Sequence, residues 1–128
     1  MKYTLTELHN NEVEKNIISG CFQDNSLIDE IEVEWFYSSS NKEIVKVFKE
    51  LKNKGRDIDL IIFSEYLIKK KMSVSLAEVT DIHNSFLTLA NINEHIEILK
   101  ELFNKRTIYL AVNKLDYSME SNNMIDKM

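Results

Sequence analysis

Two glycines and no proline in 128 residues constrain this chain more than anything else in it. Tight hairpin turns need glycine at positive φ, and the phosphate-cradling loops of α/β folds need several glycines close together. Gly20 and Gly55 cannot supply either pattern. The chain is therefore expected to be all-α. Apolar residues at 44% and charged residues at 29% match a soluble globular domain. The length suits one domain with a core large enough to need neither disulfide nor metal. Cys21 has no second cysteine to pair with, which points to a reducing, cytoplasmic setting. No apolar run approaches the roughly 18 residues of a membrane span, and the first ten residues are too polar for a secretory signal.

Charge narrows the function classes. With 16 basic and 21 acidic residues the net charge is −5, which argues against nonspecific nucleic-acid binding driven by counterion release. The charge is also unevenly spread. Residues 1–36 hold 2 basic and 8 acidic groups, residues 37–71 hold 9 and 5, and residues 72–128 hold 5 and 8. Solvated helix faces account for such runs, and so does a polarised surface that orients a partner or a second copy.

The apolar spacing predicts successive helices. Asn10 or Asn11 caps the first, with Glu12 and Glu14 favoured in its first turn by the helix dipole. Val13, Ile17, Ile18, Cys21 and Phe22 form its apolar face. Asp24-Asn25-Ser26 breaks it and restarts a shorter helix with Leu27, Ile28 and Ile31 inward. Trp35, Phe36 and Tyr37 read as an aromatic core cluster, and Ser38 to Asn41 as caps. Residues 41–54 form the clearest amphipathic helix. Ile44, Val45, Val47, Phe48 and Leu51 face in, the lysines lie mostly outside, and Gly55 stops it. Asp57 or Asp59 opens a helix over 60–71, closed by Lys69-Lys70-Lys71. A further helix over 75–88 carries Leu76, Val79, Ile82, Phe86 and Leu87.

From Asn91 to about Glu120 there is no turn signal. That predicts one helix of about 28 residues, roughly 40 Å long. One stripe on it, Ile92, Ile96, Leu99, Phe103 and Leu110, suits docking on the preceding helices. A second, Ile98, Leu102, Tyr109 and Val112, needs other cover. It is the candidate self-association surface. Lys42, Lys46, Lys49 and Lys52 are the candidate partner surface. Domain limits follow: a tail over 1–9, a helical domain over 10–120, and a frayed end or linker over 121–128.

Catalytic chemistry is hard to place. Two isolated glycines exclude a P-loop or dinucleotide fingerprint. His9, His83 and His95 are scattered and no cysteine pair exists, so no zinc site is expected. Cys21 on an apolar face reads as core. Glu12/Glu14 and Asp57/Asp59 start helices and read as caps, not as an acid–base pair. The basic run from Lys42 to Arg56 lacks the interleaved aromatics of a single-strand binder. No catalytic, metal or cofactor-binding residue is expected.

Three blocks in order carry a resemblance. The first is Asn11-Glu12-Val13-Glu14, Ile17-Ile18-Ser19-Gly20 and Asp24-Asn25. The second is Phe36-Tyr37, Asn41 to Ile44, Leu51, Gly55 and Ile58-Asp59. The third is Ala90-Asn91-Ile92, then His95, Ile98 and Arg106. Together, over about residues 10–119, the chain resembles the N-terminal domain of DnaB-type replicative helicases. Asn41 replaces the family's usual His, Asp57 its Pro and Ser19 a Gly. The Gly-Gly turn expected near Ser73-Val74-Ser75 is missing, so the chain resembles a divergent member.

The resemblance implies a compact head of about five helices followed by a long helix forming one arm of a helical hairpin. It also implies self-association, as a dimer here and a hexamer in the parent protein. A DnaG-type primase or a helicase loader would dock on this domain, and DNA would be reached through the parent protein. ATP and Mg²⁺ would belong to a separate motor domain, leaving this domain non-catalytic. A fragment of a larger helicase is the first expectation. The second is a stand-alone phage or plasmid inhibitor or loader that mimics the domain.

Overall fold

A computed structural model describes residues 8–85 and 88–126, with side chains through Lys114. Among these residues the structure is wholly helical. Helix α1 spans Asn11–Gln23, α2 Ser39–Asn53, α3 Leu60–Lys70, α4 Leu76–Asn84 and α5 Ile92–Asp126. Two 3-10 segments, Asn25–Glu30 and Val33–Trp35, link α1 to α2. The expected second helix is thus a 3-10 turn, although Leu27, Ile28 and Ile31 face in as anticipated.

Each of the first four α-helices starts on a side-chain cap that satisfies an orphan amide. The Asn10 Oδ1 accepts from the amides of Glu12 and Val13 at 3.1 and 3.2 Å. Ser38 accepts from the Asn41 amide, Asp59 from Ile62, and Ser75 from Glu78. The Asp24 carboxylate accepts from the Ser26 hydroxyl and amide, which hold its pKa below the ordinary range. Gly55 ends α2 at φ +71° with open space around its Cα, so backbone freedom alone favours glycine there.

α1 is the centre of the head. It packs against α2, α4, α5 and the first 3-10 turn, so Asn16 through Cys21 are all buried. A small residue permits that crowding. A Cβ on Gly20 would sit 3.2 Å from Ile92 Cδ1 and 3.4 Å from Leu27 Cδ1. Phe22, Phe48 and Phe63 meet edge to face, with centroids 5.0 to 5.5 Å apart, and join α1, α2 and α3.

Asn25 ties the end of α1 to the loop after Gly55. Its Nδ2 donates to the carbonyls of Cys21 and Ile58, and its Oδ1 accepts from the Ile58 amide. Phe36 is buried, but Tyr37 is exposed and Trp35 half-buried, so the aromatic cluster is only partly core. Of the expected helix over 75–88, Leu76–Asn84 is helical, while Phe86 and Leu87 lie outside the described residues.

α5 runs 35 residues, about 52 Å, past the expected end at Glu120. Ile92, Ile96 and Leu99 are buried against the head. Leu110, assigned to the same stripe, is exposed, because α5 has left the head by then. No helix of the described residues is long and apolar enough to cross a membrane.

Candidate interaction surface

The point where α5 leaves the head is marked by a buried polar knot. Glu14 sits one turn into α1 and is almost inaccessible. Its carboxylate accepts from the Tyr37 amide at 2.8 Å, the Ser38 amide at 3.3 Å and Asn41 Nδ2 at 3.0 Å. Glu14 therefore does more than favour its own helix dipole, because it receives the chain entering α2. Arg106 of α5 closes the knot. Its Nη1 donates to the Leu8 carbonyl at 2.6 Å and its Nη2 to the Trp35 carbonyl at 2.9 Å. The guanidinium lies 5.4 Å from the Tyr37 ring centroid. Burial lowers its pKa, and the Glu14 carboxylate works against that fall.

Arg106 is the last buried side chain described in α5. From Thr107 to Lys114 every residue is exposed except half-buried Tyr109. Of the four residues expected to lack cover, Ile98 and Val112 are exposed, while Leu102 and Tyr109 are half-buried. Ile108 and Leu110 join them, each with 53% of its surface open. Period alone misses these two, because neither lies in the second stripe. They are uncovered because the head ends at Arg106.

The lysines of α2 split into two pairs. Lys49 donates to the Ile28 carbonyl at 2.6 Å. Lys52 donates to the Asn25 carbonyl at 2.9 Å and pairs with Asp29 at 2.8 Å. Both hold the first 3-10 turn in place. Lys46 is exposed and Lys42 half-exposed, so only these two remain open on that face.

A second surface went unmarked by the sequence. Ile61 and Ile68, seven residues apart on α3, are 71% and 70% exposed. The apolar residues of α3 encircle the helix, so their pattern does not say which side meets the core.

No group of three or more metal-ligating side chains converges among the described residues. A shallow cleft of about 360 Å³ between α1, α4 and the start of α2 is lined by Glu12, Lys15, Glu78 and Asp81, and it brings no nucleophile to a base. Cys21 is buried, and desolvation pushes its thiol up to about 12, the opposite of an activated nucleophile.

These features define an all-α domain that presents helix faces, with one long helix leaving a compact head. The chain belongs to the family of the DnaB-like helicase N-terminal domain, whose family model matches residues 6–101. It is 33% identical over 119 residues to the replicative DNA helicase DnaB of Buchnera aphidicola subsp. Baizongia pistaciae, covering 87% of this chain and 26% of that protein. The chain thus spans about a quarter of that relative's length. The fold matches the crystal structure of the N-terminal domain of DnaB helicase from Mycobacterium tuberculosis. The TM-score is 0.77 at 14% identity, with 87% of this chain and 86% of that one covered.

Proposed function

We propose that this domain is the assembly and partner-docking part of a replicative DNA helicase, and that it does no chemistry itself. ATP and Mg²⁺ act in a motor domain outside this stretch. Copies of the domain associate through the outer side of α5, and a DnaG-type primase or a loader docks on the assembled surface. The carrying observation is the set of open apolar side chains at Ile98, Ile108 and Val112 on one side of one long helix. Water disfavours such a surface. Burying it in two copies is worth several kcal/mol at about 25 cal/mol per Å², before the costs of association. Docking of a charged partner on exposed groups is salt-sensitive, and it strengthens when several copies present the surface together.

The test has two arms. Leu102→Glu with Val112→Glu should give a folded monomer by sedimentation, whereas the unmodified chain associates. Calorimetric titration with the cognate primase's C-terminal helical domain should give heat that falls with salt. Single-stranded DNA should give little. Tight DNA binding with a steep salt slope and no heat with primase would overturn this reading.

A further inference from the structure

The outward face of α3 is the least explained surface of the head. Ile61 and Ile68 are the most exposed large apolar side chains among the described residues, at 71% and 70%. They stand two turns apart, about 10 Å along the axis, so they share one side of the helix. The core is met on the opposite side, by Phe63 and Leu67. Exposed apolar residues scattered singly need no account, whereas two in register on one helix face form a patch. α3 packs on α2 and α4, while α5 packs on α1 and the second 3-10 segment, so pairing of the arms leaves this patch open.

Charge around the patch says what covers it. Glu65 lies between the isoleucines, and Lys69, Lys70 and Lys71 follow the second, all exposed. Among the described residues none of these lysines is within ion-pair distance of a carboxylate. Lys70 and Lys54 both stand over the Tyr66 ring, their ammoniums 5.7 and 5.3 Å from its centroid. Lys71 ends the helix in the left-handed conformation at φ 51°, where glycine is the favoured residue. A lysine there keeps its charge at a conformational cost. In a chain of net charge −5, this end of the head gathers cations. A nucleic-acid backbone would take the lysines and leave both isoleucines in water. An anionic membrane would take lysines and isoleucines but press Glu65, which stands between them, into like charge. A protein helix satisfies all three. Its apolar residues two turns apart meet the isoleucines, a basic residue between them meets Glu65, and acids in the next turn meet the lysines.

We propose that α3 is a docking face for a partner protein, which lays an acidic amphipathic helix along Ile61 and Ile68 with its acids against Lys69, Lys70 and Lys71. This rests on the reading that a partner protein docks on the domain, and it gives that docking a face and a chemistry. The face is complete in one copy, so a monomer binds and an assembly multiplies the sites.

Calorimetric titration of α3 variants with the cognate primase's C-terminal helical domain tests it. Ile61→Glu with Ile68→Glu should lower affinity about tenfold or more, the scale of losing interface anchors. Lys69→Glu with Lys71→Glu should weaken binding and flatten its fall with salt. Lys71→Gly separates docking from packing. It should raise the midpoint of urea unfolding, because glycine relieves the left-handed backbone, and yet bind more weakly. It decides the matter if the isoleucine variant fails to fold. Leu102→Glu with Val112→Glu should still bind. Zero-length carbodiimide coupling of the complex should join partner carboxylates to Lys69 or Lys71. Full affinity in the isoleucine variant, or in Lys71→Gly where that variant does not fold, overturns the α3 face and leaves partner docking standing. No heat with the unmodified chain overturns both. Phosphatidylglycerol vesicles or single-stranded DNA that bind the unmodified chain but not the isoleucine variant would give the face to a membrane or a nucleic acid. Self-association lost in that variant would give it to a second copy. Each of these also overturns the proposal.

Discussion

Replacing Arg106 by Met removes the tie that holds α5 to the head at nearly constant volume. Its guanidinium makes two charge-assisted hydrogen bonds, to the carbonyls of Leu8 and Trp35. Hydrogen bonds from a charged group contribute about 1.5–3 kcal/mol each, so the gross loss is about 3–6 kcal/mol. Met offsets part of this by removing a desolvated charge, whose burial costs several kcal/mol in the native protein. The net expectation is a loss of about 3 kcal/mol, of the order set by leaving buried groups unpaired. Arg106→Lys should fall between, because one ammonium cannot fork to two carbonyls in a fixed plane. Urea unfolding followed at 222 nm measures both. A loss below about 1 kcal/mol for Met, or a Lys variant as stable as the parent, would refute the claim that the forked geometry holds the helix.

Three further outcomes follow from particular residues. Cys21 should resist alkylation in the native state at pH 8 and react on unfolding. Its thiol is raised from the ordinary 9.0 to about 12, so its contribution to stability is full below pH 9.0 and falls as pH rises toward 12. Gly55→Ala should cost about 1 kcal/mol in the same urea experiment, from φ +71° alone, since nothing crowds the new methyl. Millimolar ATP with Mg²⁺ should leave the melting temperature unchanged, and an upward shift would mean that a nucleotide binds the native domain.

Much of the head was legible because its clearest helix shows its core on one side. In α2, Ile44, Val45, Val47, Phe48 and Leu51 are all buried, as the spacing predicted. The caps were legible too, since Asn10, Ser38 and Asp59 act within three residues of themselves. Where several partners surround a helix, or apolar residues encircle it, the pattern says less. α1 is covered on most sides, and α3 leaves Ile61 and Ile68 open despite a core-like composition. The polar knot was the least legible part. Glu14 and Arg106 meet groups far away in sequence, the Leu8 carbonyl being 98 positions from Arg106. No local rule assigns such a pair. The interaction surface was legible only in outline: the unsatisfied stripe on α5 could be read, but the residue at which the head stops covering it could not.

The anchor at Arg106 makes α5 a lever with its fulcrum at the edge of the head. Thr107 to Asp126 continue the helix for about 30 Å at 1.5 Å per residue. Rotating the guanidinium fork by about 10° would sweep the far end through about 5 Å, close to one helical pitch. The sweep runs across the helix axis, so a partner helix paired along that arm would be carried sideways by about half the 8–10 Å that separates packed helices. A small repacking around Tyr37, Leu8 and Trp35 is thereby geared up into a lateral shift of several ångströms at a distant contact.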